Sequence, residues 1–382
     1  MPLGEGLLRA RMSSAVDLGD TTLDELCSTL FASLSRKDQR ARAFEYVCGL
    51  LEVNGRKSIR NIAALIGGSA TEQKLHHFVS SSTWDWRLVR QALARHIFAI
   101  APPRAWVVRP MVIQKAGEHS VGVERRFFAD IGQVVNAQRA TGVWAASADM
   151  SAPVNWRLHL PSVWLNDRTR RIRAAIPDEV TEKSPADCAI ETYLTLSSDW
   201  GLPARPVVVD GREADVAALL GRASRVLARI GGALPLAVRD PVLTGRGNDE
   251  LPAREIIGMC RDLRRPVTVA GRTSLVAAVR VALPTRPGEL LLMGEWGSGR
   301  GWPTRLWLTD MVDEPPSELL RLDRLTQRVD RDFTRIADQV GMRDYAGRSY
   351  DGWHRHTTLA SVAHTVAVLS GAVAADEISR AC

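Results

Sequence analysis

Cysteine is scarce and unpatterned in this chain: Cys27, Cys48, Cys188, Cys260 and Cys382 are scattered, odd in number and never spaced as Cys-x-x-Cys. This argues against a disulfide framework and a thiolate zinc site, and it suits a reducing compartment. Long apolar runs are missing too, so no stretch has the length of a membrane span. The first residues lack the basic stretch and apolar segment of a secretory leader, and the expectation is a cytoplasmic protein with no membrane partner. No Gly-x-x-x-x-Gly-Lys loop is present to cradle nucleotide phosphates, and no Gly-x-Ser-x-Gly turn to expose a nucleophilic serine. Neither internal repeats nor low-complexity tracts occur.

What is present is an ordinary globular composition, 45% hydrophobic and 24% charged, over 382 residues. That length predicts two or three domains. The 50 Lys+Arg against 43 Asp+Glu leave a formal charge of +7, which favours a phosphate-rich partner through attraction and counterion release.

Residues 1–20 show no period and are expected to form a flexible arm. From 21 to 103 the pattern is helical. One face carries Leu26, Leu30, Phe31 and Leu34, Ser58 and Asp85 stand at capping positions, and Leu88, Leu93, Ile97 and Ile100 are expected inward on the last helix. Ala101-Pro102-Pro103 marks the boundary. Trp106-Val107-Val108 then reads as a buried strand that ends at Arg109-Pro110, and residues 115–123 as a turn and second strand. Val207-Val208-Val209-Asp210 is the clearest strand, followed by an expected helix over 215–230. Residues 231–312 turn to short strands punctuated by Pro and Gly, a β-rich insertion, and 313–382 return to helix.

Two carboxylates suit metal chemistry. Asp210 ends a strand, where open sheets expose functional groups, and Asp330 lies on a late helix able to fold back over the sheet. Such acids hold Mg2+ through oxygen ligands and align an attacking hydroxyl and a leaving oxygen for phosphoryl transfer. An Asp at a strand end is, however, more often a turn or capping residue, so spacing alone leaves the choice open.

Several stretches resemble one known family. They include Tyr46-Val47-Cys48-Gly49-Leu50-Leu51, Phe78-Val79-Ser80-Ser81-Ser82-Thr83-Trp84-Asp85-Trp86, Asn155-Trp156-Arg157-Leu158-His159-Leu160-Pro161, Pro206-Val207-Val208-Val209-Asp210 and Gly352-Trp353-His354-Arg355-His356-Thr357-Thr358-Leu359-Ala360. In order and content these are similar to the DDE transposases of bacterial insertion sequences, in the DDE superfamily endonuclease branch. The resemblance implies an α/β fold with an RNase H-like mixed sheet as core (104–230 and 313–382), an N-terminal helical DNA-binding domain (21–103) and the β-rich insertion (231–312). It further implies DNA as partner, Mg2+ as cofactor if the protein is active, and paired subunits so far as transposition survives.

Carried onto this sequence, the second acid of the family is Asp210 and the third is Asp330. The first falls on Arg109, which cannot ligate a cation and stays protonated. The basic residue the family often places seven positions after the third acid is here Ala337. Glu118, Glu124, Asp130 and Asp332 are the acids that could substitute, though none sits on the strand end. The expected DNA-contacting residues are Arg56, Lys57, Lys115, Arg168, Arg348, His354 and Arg355. The expectation is a transposase-family protein impaired in cutting that retains DNA binding, associated with the nucleoid. The alternatives are an active Mg2+-dependent enzyme with a non-standard acidic site, and an interaction or structural protein on the same fold.

Overall fold

The computed structural model describes residues 17–128, 131–211, 215–240, 243, 250–297 and 301–381, with side chains described between 23 and 371. Helix α1 (Asp17–Leu30) begins inside the stretch expected as an arm, and residues 1–16 lie outside the described residues. It is followed by α2 (Lys37–Glu52), α3 (Ile59–Ile66), α4 (Ser69–Ser80) and α5 (Trp86–Ile100). The expected caps form: Ser58 Oγ accepts from the Asn61 amide and Asp85 Oδ1 from the Arg87 amide. The inward face of α5 differs from the expectation. Trp86, Val89, Arg90, Leu93, Ala94 and Ile97 are buried, whereas Leu88 and Ile100 face solvent. Helical spacing through Trp86, Val89, Leu93 and Ile97 defines the seam and carries Arg90 into it, a position an apolar pattern does not suggest.

The core sheet opens with β1 (Ala105–Gln114), β2 (Glu124–Phe128), β3 (Gln133–Ala146) and β4 (Ser151–Leu158). Short helices α6 (Ser162–Leu165) and α7 (Arg168–Arg173) and the longer α8 (Pro185–Ser198) lead to β5 (Val207–Asp210), α9 (Val216–Arg222) and β6 (Val226–Ile230). β3 pairs antiparallel with β1, β2 and β4, and β1, β5 and β6 run parallel. Three antiparallel strands followed by two parallel ones, in the order β4-β3-β1-β5-β6, make the RNase H-like mixed α/β core.

Three local expectations are corrected here. β1 runs through Pro110 instead of stopping before it. The Trp106 amide donates to Pro206 O on the β5 side, so alternation aims the position of the missing Pro110 N–H the same way, beyond the last β1–β5 pair at Val108–Val209. Residues 115–123 are loop, and the second strand starts at Glu124. The helix expected over 215–230 is α9 alone, and Val226–Ile230 is strand β6. Its Leu, Ala and Arg are helix formers by propensity, overridden by burial between β5 and the next strand of the sheet.

That next strand lies in the stretch 231–312, expected as a β-rich insertion. β7 (Pro235–Val238), β8 (Glu250–Pro252), α10 (Ala253–Met259), β9 (Arg265–Val269), β10 (Arg272–Ala282), β11 (Leu290–Trp296) and β12 (Arg305–Thr309) continue the same sheet, because β12 pairs antiparallel with β6. Helix α11 (Pro316–Asp332) then crosses the sheet, prolonged by a π-helical turn over Phe333–Ala337. Helix α12 (Tyr350–Ala381) runs between β4 and helices α1, α2, α4 and α5. From Trp353 to Val366 every residue of α12 is buried. A helix enclosed on all sides needs no apolar stripe, and its hydroxyl and imidazole groups satisfy one another and the surrounding backbone.

Candidate functional site

A cleft of about 880 Å³ opens where the C-terminal ends of β1 and β5 meet α11. The parallel register sets its floor. β1 and β5 pair up to Val108–Val209, so Arg109 and Asp210 stand level one residue further on, and Asp210 pairs with Arg229 of β6. Level residues of parallel strands project to the same face. Across the sheet the cleft therefore shows a row of Arg109, Asp210 and Arg229. Gly211 closes this edge tightly, since a Cβ there would stand 2.6 Å from Val216 Cγ2 and 3.0 Å from Arg229 O.

The roof is α11, whose Asp323, Thr326 and Asp330 recur on one face. Arg109 Nε donates to Asp330 Oδ1 at 2.9 Å and its Nη1 to Pro110 O at 3.0 Å, while its guanidinium carbon lies 3.8 Å from the Phe333 ring centroid. Phe333 also meets Arg343 at 5.1 Å, and Arg343 Nε donates to Asp338. Asp323 is buried and accepts from Trp307 Nε1 at 2.8 Å; desolvation raises its pKa. At the mouth Asp344 accepts from the Lys57 amide, and Lys115 Nζ donates to Tyr345 O. Burial, with Arg56 nearby, pushes the Lys115 ammonium down to about 8.

A sequence profile described as DDE superfamily endonuclease matches residues 29–237, from the helical bundle through β7 and including both Arg109 and Asp210. The chain belongs to this family. It is also 26% identical over 145 residues to a protein of Microchaete diplosiphon described as a probable transposase for insertion sequence element IS701; the match covers 36% of this chain and 37% of that relative. The resemblance to DDE-type insertion-sequence transposases is thus upheld. The profile ends before α11, so the third acidic position rests on the fold and the sequence resemblance.

DDE superfamily nucleases generally use divalent metal ions. The side chains in this cleft do not fit such an ion. Among the described residues no three His, Cys, Asp or Glu side chains converge as a ligand set. The position level with Asp210 holds a guanidinium, which only donates, and it occupies an oxygen of Asp330. The substitute acids do not fill the gap. Asp332 is buried on another side of α11, where Oδ2 accepts from Ser151 N at 3.0 Å, Ser151 Oγ at 2.8 Å and Arg328 Nε at 2.7 Å. Glu118 lies in an exposed loop, Glu124 is on β2 beside Arg126, and Asp130 lies outside the described residues.

The expected DNA-contacting residues divide. Arg56, Arg168 and Arg348 are exposed, and Lys115 is half-buried at the cleft. Lys57, His354 and Arg355 are buried, which corrects their expected place on the surface. Lys57 Nζ donates to Val53 O. His354 stacks on Trp86 at 4.2 Å, and Arg355 donates to Trp84 O, Val79 O and Asp351. The run Trp353-His354-Arg355-His356 reads as a basic surface because it is polar, yet it lies on the enclosed helix α12. Sequence reasoning also missed Arg229, hidden within the misassigned helix, and Asp323, whose spacing of seven from Asp330 was the available signal.

Proposed function

We propose that this DDE-family chain binds DNA in the cleft between β1, β5 and α11 and does not carry out metal-dependent strand cleavage. The observation that carries this is the Arg109–Asp330 ion pair at the position level with Asp210, with Arg229 on the other side of that carboxylate. Two guanidiniums beside Asp210 oppose a further positive charge by Coulomb repulsion, and none of their nitrogens can ligate it. The same groups suit a phosphodiester: Arg109 and Arg229 offer planar donor forks, Arg56 and Lys115 stand at the rim, and exposed Arg168 and Arg348 add cations elsewhere on the surface. Asp210 and Asp330 then serve to position these cations. DNA binding would place the protein with the nucleoid.

The test is incubation of the purified chain with supercoiled plasmid and Mg2+ or Mn2+, beside Asp210→Ala. The expected result is a salt-dependent mobility shift with no nicking by either protein. Nicking by the wild type that disappears in Asp210→Ala would establish the active alternative, and no shift at any salt concentration would favour an interaction role.

A further inference from the structure

A second groove, of about 510 Å³, lies along the other flank of α11 and meets the cleft at Asp323, which lines both. Its wall is a stripe of Arg321, Arg324, Arg328 and Arg331, spaced three, four and three residues apart and hence on one helical face. Facing them are Arg272 at the start of β10, Arg305 on β12 and Arg104 before β1, so seven arginines line a space in which the acids are Glu295 and Asp323. Four of the seven are engaged: Arg104 and Arg321 share Glu318, Arg305 lies between Glu295 and Asp323, and Arg328 holds Asp332. Arg272, Arg324 and Arg331 have no carboxylate within 4.0 Å among the described residues.

Like charges three and four positions apart on a helix repel, and a polyanion laid along the stripe relieves that repulsion. The dimensions fit one. The ten steps from Arg321 to Arg331 rise about 15 Å, a length over which one strand of duplex DNA presents roughly four phosphates when counted along the duplex axis at about 3.4 Å each.

We propose that this groove is a second contact site for the phosphodiester backbone of duplex DNA, on the flank of α11 across Asp323 from the cleft. The proposal rests on the reading of the chain as a DNA-binding protein and adds the surface that would hold DNA away from the former acidic site. It involves phosphates only, so it carries no sequence preference of its own.

The test is the salt dependence of binding to a labelled duplex of unrelated sequence, measured by fluorescence anisotropy for the wild type, for Arg272→Ala/Arg324→Ala/Arg331→Ala, and for the same three positions changed to Lys. The alanine triple removes three unpaired cations without breaking an ion pair. Its slope of log affinity against log salt should be shallower by about 2.7, at about 0.9 for each phosphate no longer neutralised. The lysine triple should keep the wild-type slope, which a merely structural role for the guanidiniums would not allow. If the wild type binds DNA and the alanine triple shows the same slope and affinity, the groove is not a DNA site and binding through the cleft stands. If the wild type binds no duplex, both readings fall together.

Discussion

Replacing Arg109 by aspartate separates a lost metal site from a merely altered one. The substitution removes the ion pair with Asp330 and the stacking on Phe333. The Asp330 side chain is 64% exposed, and a pair screened to that degree contributes only about 0.5 kcal/mol. The stacking is on the more shielded Arg109 side and contributes about 1 kcal/mol. Arg109→Asp should therefore lose roughly 1.5 kcal/mol, small against a domain stability of about 5–15 kcal/mol, and should fold. In return it sets a carboxylate about 4.8 Å along the sheet from Asp210 and frees Asp330 to face both. A divalent ion bound at about 100 times its dissociation constant would add about 2.7 kcal/mol, more than the substitution removes. In thermal unfolding the variant should melt below the wild type in chelator and above it in saturating Mn2+, with a matching heat of binding by titration calorimetry. The wild type should show neither response. If wild-type protein is stabilised by Mn2+ as strongly as the variant, the guanidinium does not block the site and the proposed loss of chemistry is wrong.

Acid should loosen the seam around α12. His356 Nε2 donates to Gly341 O and its Nδ1 accepts from Tyr46 Oη, while His364 Nε2 donates to Ser151 O; burial pushes both imidazoles down to about 4. The unfolded chain takes up these protons near pH 6.5 and the folded one refuses them until about pH 4, so stability falls as pH drops through that window by up to about 3 kcal/mol per histidine; urea midpoints at pH 7 and 5 would show it, and His356→Gln should flatten the dependence. Arg90 is wholly buried and donates to Thr358, Thr357, Asn155, Trp156 O and His354 O. Arg90→Ala strands these acceptors and opens a cavity, so chemical denaturation should show a loss of about 3–5 kcal/mol. Because Lys115 titrates at about 8, DNA affinity should weaken as pH rises from 7 to 9, and Lys115→Arg should abolish that dependence in anisotropy titrations.

Legibility in the sequence followed burial on both sides of an element. β5 was readable because three consecutive valines bounded by Pro206 and Gly211 fit little else, and Asp210 came with it. β6 is equally central but is written Val-Leu-Ala-Arg-Ile, and only its place between β5 and β12 makes it a strand. That one misassignment concealed Arg229 and with it half of the cationic flank of Asp210. Helix α12 failed in the opposite sense. His354, Arg355, Thr357 and Thr358 look like a solvated face, yet they form the polar lining of an enclosed helix, a pairing set by residues such as Arg90 some 264 positions away from His354 in sequence. The Arg109–Asp330 pairing was open to expectation only because family resemblance aligned the two positions. No local pattern joins residues 221 positions apart.

The acids of α11 indicate why one substitution need not restore cutting even if it restores metal binding. Asp323 holds Trp307 of β12, Asp330 holds Arg109 of β1 and Asp332 holds Ser151 of β4, so each of these carboxylates ties the helix to a different strand. Of the three, only Asp330 is exposed and held by a single screened pair, and it is therefore the one that can be released at low cost. Freeing it through Arg109→Asp leaves Arg229 beside Asp210 and Ala337 where the family often places a basic residue. A metal that binds in that variant would sit next to a guanidinium competing for Asp210, and Ala337 is wholly buried, so that position offers a scissile phosphate no cation. The order of repair follows from these positions. Mn2+ binding should return with Arg109→Asp and tighten when Arg229→Ala is added, with plasmid nicking absent from both; nicking by Arg109→Asp alone would mean that the first acidic position was the sole barrier.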